Sequence, residues 1–342
     1  MNVVKKVCVM TRIAVLGIDL LGMCIALSLK KNHPNEFSIN AAGADPDTLK
    51  LAKKLGAVDR TDNSARRCVS GAEIVILDTP LNYTKDLLEN LASHFDEGTI
   101  ITDTGPLKKP IINWAKTFLP SSVHFVAGRP VPKTNLWSIE DVSPESISGS
   151  PYCIITEKNT SREAIEKLTW LVNQCGSQPY FLDSAEHDSY SSAMSFLPNV
   201  ISAALITTAS RSRSWPEMSK LSTPEFKALT ILAEKDPEEN GLAAELNSKD
   251  TIYWIDEMIS TLYEFRKQFD SDTEKLLTSF IAAWEQKAKW EAGTLHPDDR
   301  QATSLPSAKE TMTEMMVGTF MMDRYRKMTQ KSRKNWKYFR KS

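Results

Sequence analysis

The sequence predicts an α/β domain built on a parallel sheet, followed by an all-α helical domain, and three observations predict it. From Arg12 to about Leu182, short apolar runs alternate with amphipathic stretches, the pattern of a parallel sheet wrapped by helices. After Leu182 the strand signal stops, and helical periodicity with few glycines continues to about Trp290. The 342 residues exceed what one core usually supports, so two domains are expected.

The predicted strands are 13–16, 37–42, 73–77, 99–102, 123–127, 152–156 and 179–182, and the helices between them are 20–30, 47–55, 83–95, 110–118 and 162–174. Asp45 and Pro46 make an N-cap and first-turn pair for the second helix. The expected organisation is an N-terminal extension (1–11), the α/β domain (12–183), the helical domain (184–292), and a linker with a basic tail (293–342). The tail carries Met312, Met315, Met316, Met321 and Met322, which read as packing residues, and then nine Lys or Arg within 324–341. Tyr325, Trp336, Tyr338 and Phe339 interleave with these charges. A solvated terminus is the expected reading of that run, with contact to nucleic acid or an anionic surface as the alternative.

A net charge of −1 and 41% hydrophobic residues exclude a polyanion-binding or disordered class for the chain as a whole. The five cysteines (Cys8, Cys24, Cys68, Cys153, Cys175) form no CxxC pair, against both a disulfide framework and a zinc site, and the histidines show no metal-ligand spacing. A reducing cytoplasm fits, and no metal is expected. No uninterrupted apolar run approaches the roughly 18 residues of a membrane helix, so no span is expected. The first ten residues lack the pattern of a secretory signal. Neither a nucleophile elbow nor a Walker A loop occurs, which leaves hydrolase and kinase readings without support.

The first strand runs into Gly17-Ile18-Asp19-Leu20-Leu21-Gly22 and then a helix, the context of a Rossmann-type dinucleotide-binding fingerprint. Gly17 suits the tight turn and Gly22 the close helix–strand packing. The middle glycine, which lets backbone approach a diphosphate, is Asp19. Asp45, at the end of the second strand, stands where a carboxylate accepts from ribose hydroxyls, or it only caps the next helix. No Arg or Lys beside it would receive a 2′-phosphate, so NAD is expected ahead of NADP. Thr79 and Pro80 close the strand 73–77 at the edge that would meet the cofactor, or form a plain turn.

Five ordered blocks carry a family resemblance: AEIVILDTP at 72–80, TDTGPLKKPI at 102–111, HFVAGRPV at 124–131, AEHDSYSSAMSFLPNVISAAL at 185–205 and FKALTILAEKDPEENGLAAELN at 226–247. They resemble the prephenate and arogenate dehydrogenase family over roughly 13–290. The resemblance implies an NAD-dependent oxidative decarboxylation in tyrosine biosynthesis: hydride leaves the ring carbon bearing the hydroxyl, carbon dioxide departs, and the ring becomes aromatic. It also implies a homodimer formed through the helical domain, and a small carboxylated substrate.

Several family positions differ. Arg129 stands for the histidine of the Gly-x-His-Pro block and, staying protonated, cannot act as a general base. Pro106 stands for a serine, with Asp103 and Lys108 kept; Phe196 and Asn199 replace two histidines; Ile231 replaces the arginine that grips a substrate carboxylate. Loss of an acid–base group removes roughly 10²- to 10⁴-fold in rate. Arg129 and Lys108 are the expected anion-binding pair, or Arg129 is a surface arginine without a role, and Asn199 is a hydrogen-bond partner for a substrate hydroxyl or carbonyl, or a helix-start residue. His187, followed by Asp188, is either an acid–base group or a hinge and cap residue. Three readings stay open: a prephenate or arogenate dehydrogenase, a diverged dehydrogenase for another carboxylated hydroxy substrate, and a non-catalytic member keeping fold and dimer interface.

Overall fold

The computed structural model describes residues 10–134, 136, 138–271 and 273–295. The Met-rich stretch and the basic run of the tail lie outside the described residues.

Strand β1 (Thr11–Leu16) is followed by α1 (Leu20–Asn32), β2 (Phe37–Ala42), α2 (Pro46–Lys54) and β3 (Arg60–Asp62). Then come α3 (Ala65–Val69), β4 (Ile74–Leu77), α4 (Leu81–Leu91), β5 (Ile100–Asp103), α5 (Lys109–Phe118) and β6 (His124–Phe125). These six strands form one parallel sheet in the order β3-β2-β1-β4-β5-β6. β4 is buried at every residue, because helices cover both faces and no polar alternation is needed. On one face Ile13, Val15, Ile39 and Ile76 pack on Met23, Ile25 and Leu29 of α1. On the other, Ala14, Leu16, Val75 and Leu77 pack on Leu88 of α4 and Ile111 of α5. β3 and α3 are absent from the sequence-based expectation, since Arg-Thr-Asp at a sheet edge carries no apolar signal.

One expected sheet is in fact two. The predicted run 123–127 ends early as β6, and β7 (Gly128–Pro130) opens a second sheet with β8 (Pro151–Ile155) and β9 (Gln178–Leu182), α6 (Arg162–Gln174) joining the last two. β7 is antiparallel to β8, and β8 is parallel to β9. Gly128 makes the transfer possible: a Cβ there would lie 2.8 Å from Thr102 Oγ1 and 2.9 Å from a Tyr152 ring carbon.

Beyond β9 the chain is helical: α7 (Ser184–Ser191), α8 (Leu197–Ser210), α9 (Trp215–Met218), α10 (Pro224–Thr230), α11 (Pro237–Leu246), α12 (Ser248–Ser271) and α13 (Thr273–Glu291). A widened π turn, Ser192–Phe196, joins α7 and α8 into one helix. Pro198 lies just after it, and a proline ring excludes the carbonyl four residues earlier, here Met194, from regular helix geometry. This joined helix, 184–210, is long and apolar enough to cross a membrane by length and composition, with 22% of its most apolar window buried. The sequence-based expectation rests on uninterrupted apolar runs, and here Ser, Thr, Pro198 and Asn199 break those runs without making the helix polar on average.

The described residues divide into two compact units, the first ending at Ile259 and the second beginning at Ser260. In the second, the Phe265 and Phe280 rings pack at 5.4 Å and Ser279 donates to Gln268 Oε1 at 3.0 Å.

Candidate active site

The crossovers from β1 and β4 leave toward opposite edges of the sheet, so a crevice opens beyond their C-terminal ends. A cavity of about 480 Å³ lies there, lined by Gly17, Ile18 and Asp19 after β1, Asp45 and Thr48 after β2, and Asp78, Thr79 and Pro80 after β4. Gly17 adopts φ +102°, and a Cβ on it would fall 2.0 Å from the Asp78 carbonyl oxygen. Ile18 follows at φ +47°, the one non-glycine residue with positive φ among the described residues. Such a conformation costs on the order of 1–3 kcal/mol, and the fully buried Ile18 side chain holds it in place.

Asp78 is the buried centre of this loop cluster. Its Oδ2 accepts from the Gly22 amide at 2.7 Å, and its Oδ1 accepts from Thr104 Oγ1 at 2.5 Å. A Cβ at Gly22 would meet Asp78 Oδ2 at 2.4 Å, so the glycine is needed for this contact. Burial, with the charge of Asp19 adding, pushes the Asp78 carboxyl up to about 6 despite the Thr104 hydrogen bond. Partial desolvation also raises the Asp19 carboxyl, which is exposed at the N-cap of α1 without capping it. Asp45 behaves otherwise: it accepts from the Asp47 and Thr48 amides and from Thr48 Oγ1 at 2.6 Å. The Thr48 hydroxyl chiefly holds it below the usual carboxylate range, so it caps α2 while facing the cavity as an ionised acceptor.

A second cavity, about 460 Å³, shares Asp19, Asp78, Thr79 and Pro80 with the first. Its other walls include Leu20, Leu21, Pro106, Arg129, Phe196, Asn199, Leu232, Lys235 and Glu239. β7 delivers Arg129, paired across the strands with Cys153, and the π turn delivers Met194, Ser195 and Phe196. Asn199 Nδ2 donates to Asn240 Oδ1 at 3.2 Å, while its buried Oδ1 has no partner. Burial lowers the Lys235 ammonium, with Arg129 adding to the effect. Burial raises Glu239, with Asp236 and Asp19 adding.

Two residues expected in the pocket stand behind its wall. Lys108 is fully buried: its Nζ donates to Asp103 Oδ2 at 2.5 Å and to the Gly128 carbonyl at 2.7 Å. An anion in the cavity therefore does not meet this ammonium, and the expected Arg129–Lys108 pair does not form. Asp103 also accepts from the Gly128 amide at 3.3 Å, so the Asp103–Lys108 pair fixes the strand that presents Arg129. His187 is likewise buried, its Nδ1 2.9 Å from Asp188 Oδ1, and burial lowers its pKa. Asp188 accepts from the Lys108 and Lys109 amides at 2.7 and 2.9 Å, clamping the start of α5 to α7. Sequence reasoning missed Asp78, Lys235 and Glu239. For Lys235 a signal existed, since it follows Ile231 by about one helical turn.

Matches to known proteins agree with this architecture. Residues 25–180 match the prephenate dehydrogenase nucleotide-binding domain, and residues 183–282 match the prephenate dehydrogenase dimerization domain. The first match begins after the 17–22 loop, where Asp19 stands. The chain is 29% identical to prephenate dehydrogenase of Bacillus subtilis over 65% of this chain and 60% of the relative. It is 29% identical to that of Lactococcus lactis over 66% of this chain and 62% of the relative. It thus spans about six-tenths of the length of these curated relatives. Two solved structures share the fold. Prephenate dehydrogenase of A. aeolicus, in complex with hydroxyphenyl propionate and NAD+, has TM-score 0.70 and 19% identity, covering 83% of this chain and 99% of that one. Synechocystis arogenate dehydrogenase has TM-score 0.64 and 21% identity, covering 82% and 99%. With both of the family's domains matched in order across most of its length, the chain belongs to the prephenate dehydrogenase family.

Proposed function

We propose that this chain is an NAD-dependent dehydrogenase that oxidatively decarboxylates prephenate or arogenate in the cytoplasm, working as a homodimer through its helical region. The observation that carries the reading is the wall shared by the two cavities, Asp19, Asp78, Thr79 and Pro80. A cofactor seated over the sheet's C-terminal edge reaches the second cavity only past these residues. Residues 12–183 then serve the dinucleotide, and the helical region completes the substrate pocket through residues between 194 and 243.

The cleft fits the nucleoside half of NAD. Asp45 is an ionised acceptor for ribose hydroxyls at the end of β2, and its charge disfavours a 2′-phosphate. The N-terminus of α1 opens on this cleft and favours a diphosphate there, with the carboxyl of Asp19, which engages the Leu20 amide, opposing it. NAD, when bound, supplies the hydride acceptor. Arg129 attracts and orients a substrate carboxylate. Asn199 Oδ1 accepts a hydrogen bond from the substrate, and Pro106 and Phe196 limit water around the ring. Asp103, Lys108, His187 and Asp188 position Arg129 and α5 without touching substrate. With no histidine at the Arg129 position, turnover is expected about 10²- to 10⁴-fold below that of a family member carrying it.

The test is Arg129→Ala, assayed with prephenate and with arogenate, alongside NAD titration. KM is expected to rise roughly 10- to 100-fold, the cost of a lost charged hydrogen bond, with the Kd for NAD unchanged. Equal loss of both would mean a folding defect and overturn the assignment of Arg129.

A further inference from the structure

The second cavity holds charges of both signs that do not neutralise one another. Arg129 and Lys235 line it, and so does Glu239. Each of the two cations feels the Glu239 charge. Yet among the described residues none of the three forms an ion pair within 4 Å. The second observation is Asn199 Oδ1, a buried acceptor without a hydrogen-bond partner, on a residue that lines the same cavity. A buried acceptor without a donor is costly, so a ligand donor is the natural complement. A ligand carrying only carboxylates satisfies the two cations and leaves Glu239 and Asn199 without partners.

Resting on the dehydrogenase reading above, we propose that this pocket selects a zwitterionic 2-amino acid over the corresponding 2-oxo acid: Arg129 and Lys235 take the carboxylate, and Glu239 with Asn199 Oδ1 takes the ammonium. Lys235 thereby supplies the cation that Ile231, which does not line the cavity, lacks. Glu239 is the specificity-determining residue, because it is the group that a 2-oxo acid leaves opposed only by a carbonyl oxygen. Its surroundings agree: burial raises its carboxyl, with Asp236 and Asp19 adding, a penalty that an incoming ammonium relieves.

The test measures binding to the full chain, with NAD present, of the aromatised products of the two substrate classes, L-tyrosine and 4-hydroxyphenylpyruvate, by calorimetry. Wild type is expected to bind tyrosine at least tenfold more tightly. Glu239→Gln is expected to weaken tyrosine roughly tenfold while leaving 4-hydroxyphenylpyruvate equal or tighter, and Glu239→Asp is expected to restore part of the preference. A wild-type preference for the oxo acid, no binding of either compound, or an unchanged tyrosine affinity in Glu239→Gln would overturn the proposal. Thermal melting and NAD affinity of each variant establish that it is folded. Turnover assays with arogenate and prephenate decide the underlying reading separately: no turnover of either would sink the dehydrogenase function, while the binding preference would still decide the head-group inference.

Discussion

At the residue scale, the acids of the nucleotide cleft govern behaviour in opposite ways. Asp45 is stabilised as a carboxylate by its cap hydrogen bonds, whereas Asp78 and Asp19 are destabilised as carboxylates by desolvation. Asp78, raised from 3.8 to about 6, binds its proton more tightly folded than unfolded. Stability from this group is present below pH 4, falls as pH rises from about 4 to 6, and stays lost above. The full loss is about 3 kcal/mol by linkage. Asp78→Asn, which keeps an acceptor for the Gly22 amide, should flatten urea-denaturation stability across this window and stabilise the protein by roughly 1–2 kcal/mol at pH 8. Parallel pH curves for both proteins would show that Asp78 does not titrate there. Asp19→Gly should tighten NAD about tenfold, read by titration, since it removes a like charge and a Cβ from the diphosphate's approach.

At the element scale, the decisive piece is the short strand β7. It carries Arg129 into the pocket because Asp103 and Lys108 grip Gly128 from behind. Lys108→Met should cost about 3–5 kcal/mol in chemical denaturation, because it leaves the carboxylate of Asp103 buried and uncompensated. A loss below 1 kcal/mol would mean that Asp103 takes up a proton or water without penalty. The π turn belongs to the same scale: Pro198 follows it, and four cavity-lining side chains come from 194–198. The sequence leaves His187 either as an acid–base group or as a hinge and cap residue; in the structure His187 and Asp188 are both buried, and Asp188 clamps the start of α5 to α7.

At the scale of the whole molecule, the helical region leaves large apolar side chains in solvent, among them Leu221 at 81% and Leu229 at 63% exposed. Apolar exposure of this kind marks an interface, and residues 183–282 match a dimerization domain. Light scattering behind gel filtration should report a homodimer, and Leu221→Glu with Leu229→Glu should shift it toward monomer without loss of helicity. A monomer in the wild type at micromolar concentration would contradict the homodimer.

The sequence by itself determined the α/β-then-helical order of the chain, the glycine turn after β1, the cap at Asp45 and the family, because each depends on local periodicity, on backbone freedom, or on ordered blocks along the chain. It also located Arg129 and Asn199 at positions where this chain departs from its family. Only the tertiary structure decided which charges face the pocket. Lys108 is the lysine to which the sequence points and Lys235 the one it passes over, yet the first is buried against Asp103 and the second lines the cavity. The split of the sheet at Gly128, the burial of Asp78 and the engagement of Asp188 with the Lys108 and Lys109 amides were likewise decided there. The reason is that a side chain's solvation and partners are set by residues distant in sequence, and these fix whether a charge is structural or available to a ligand.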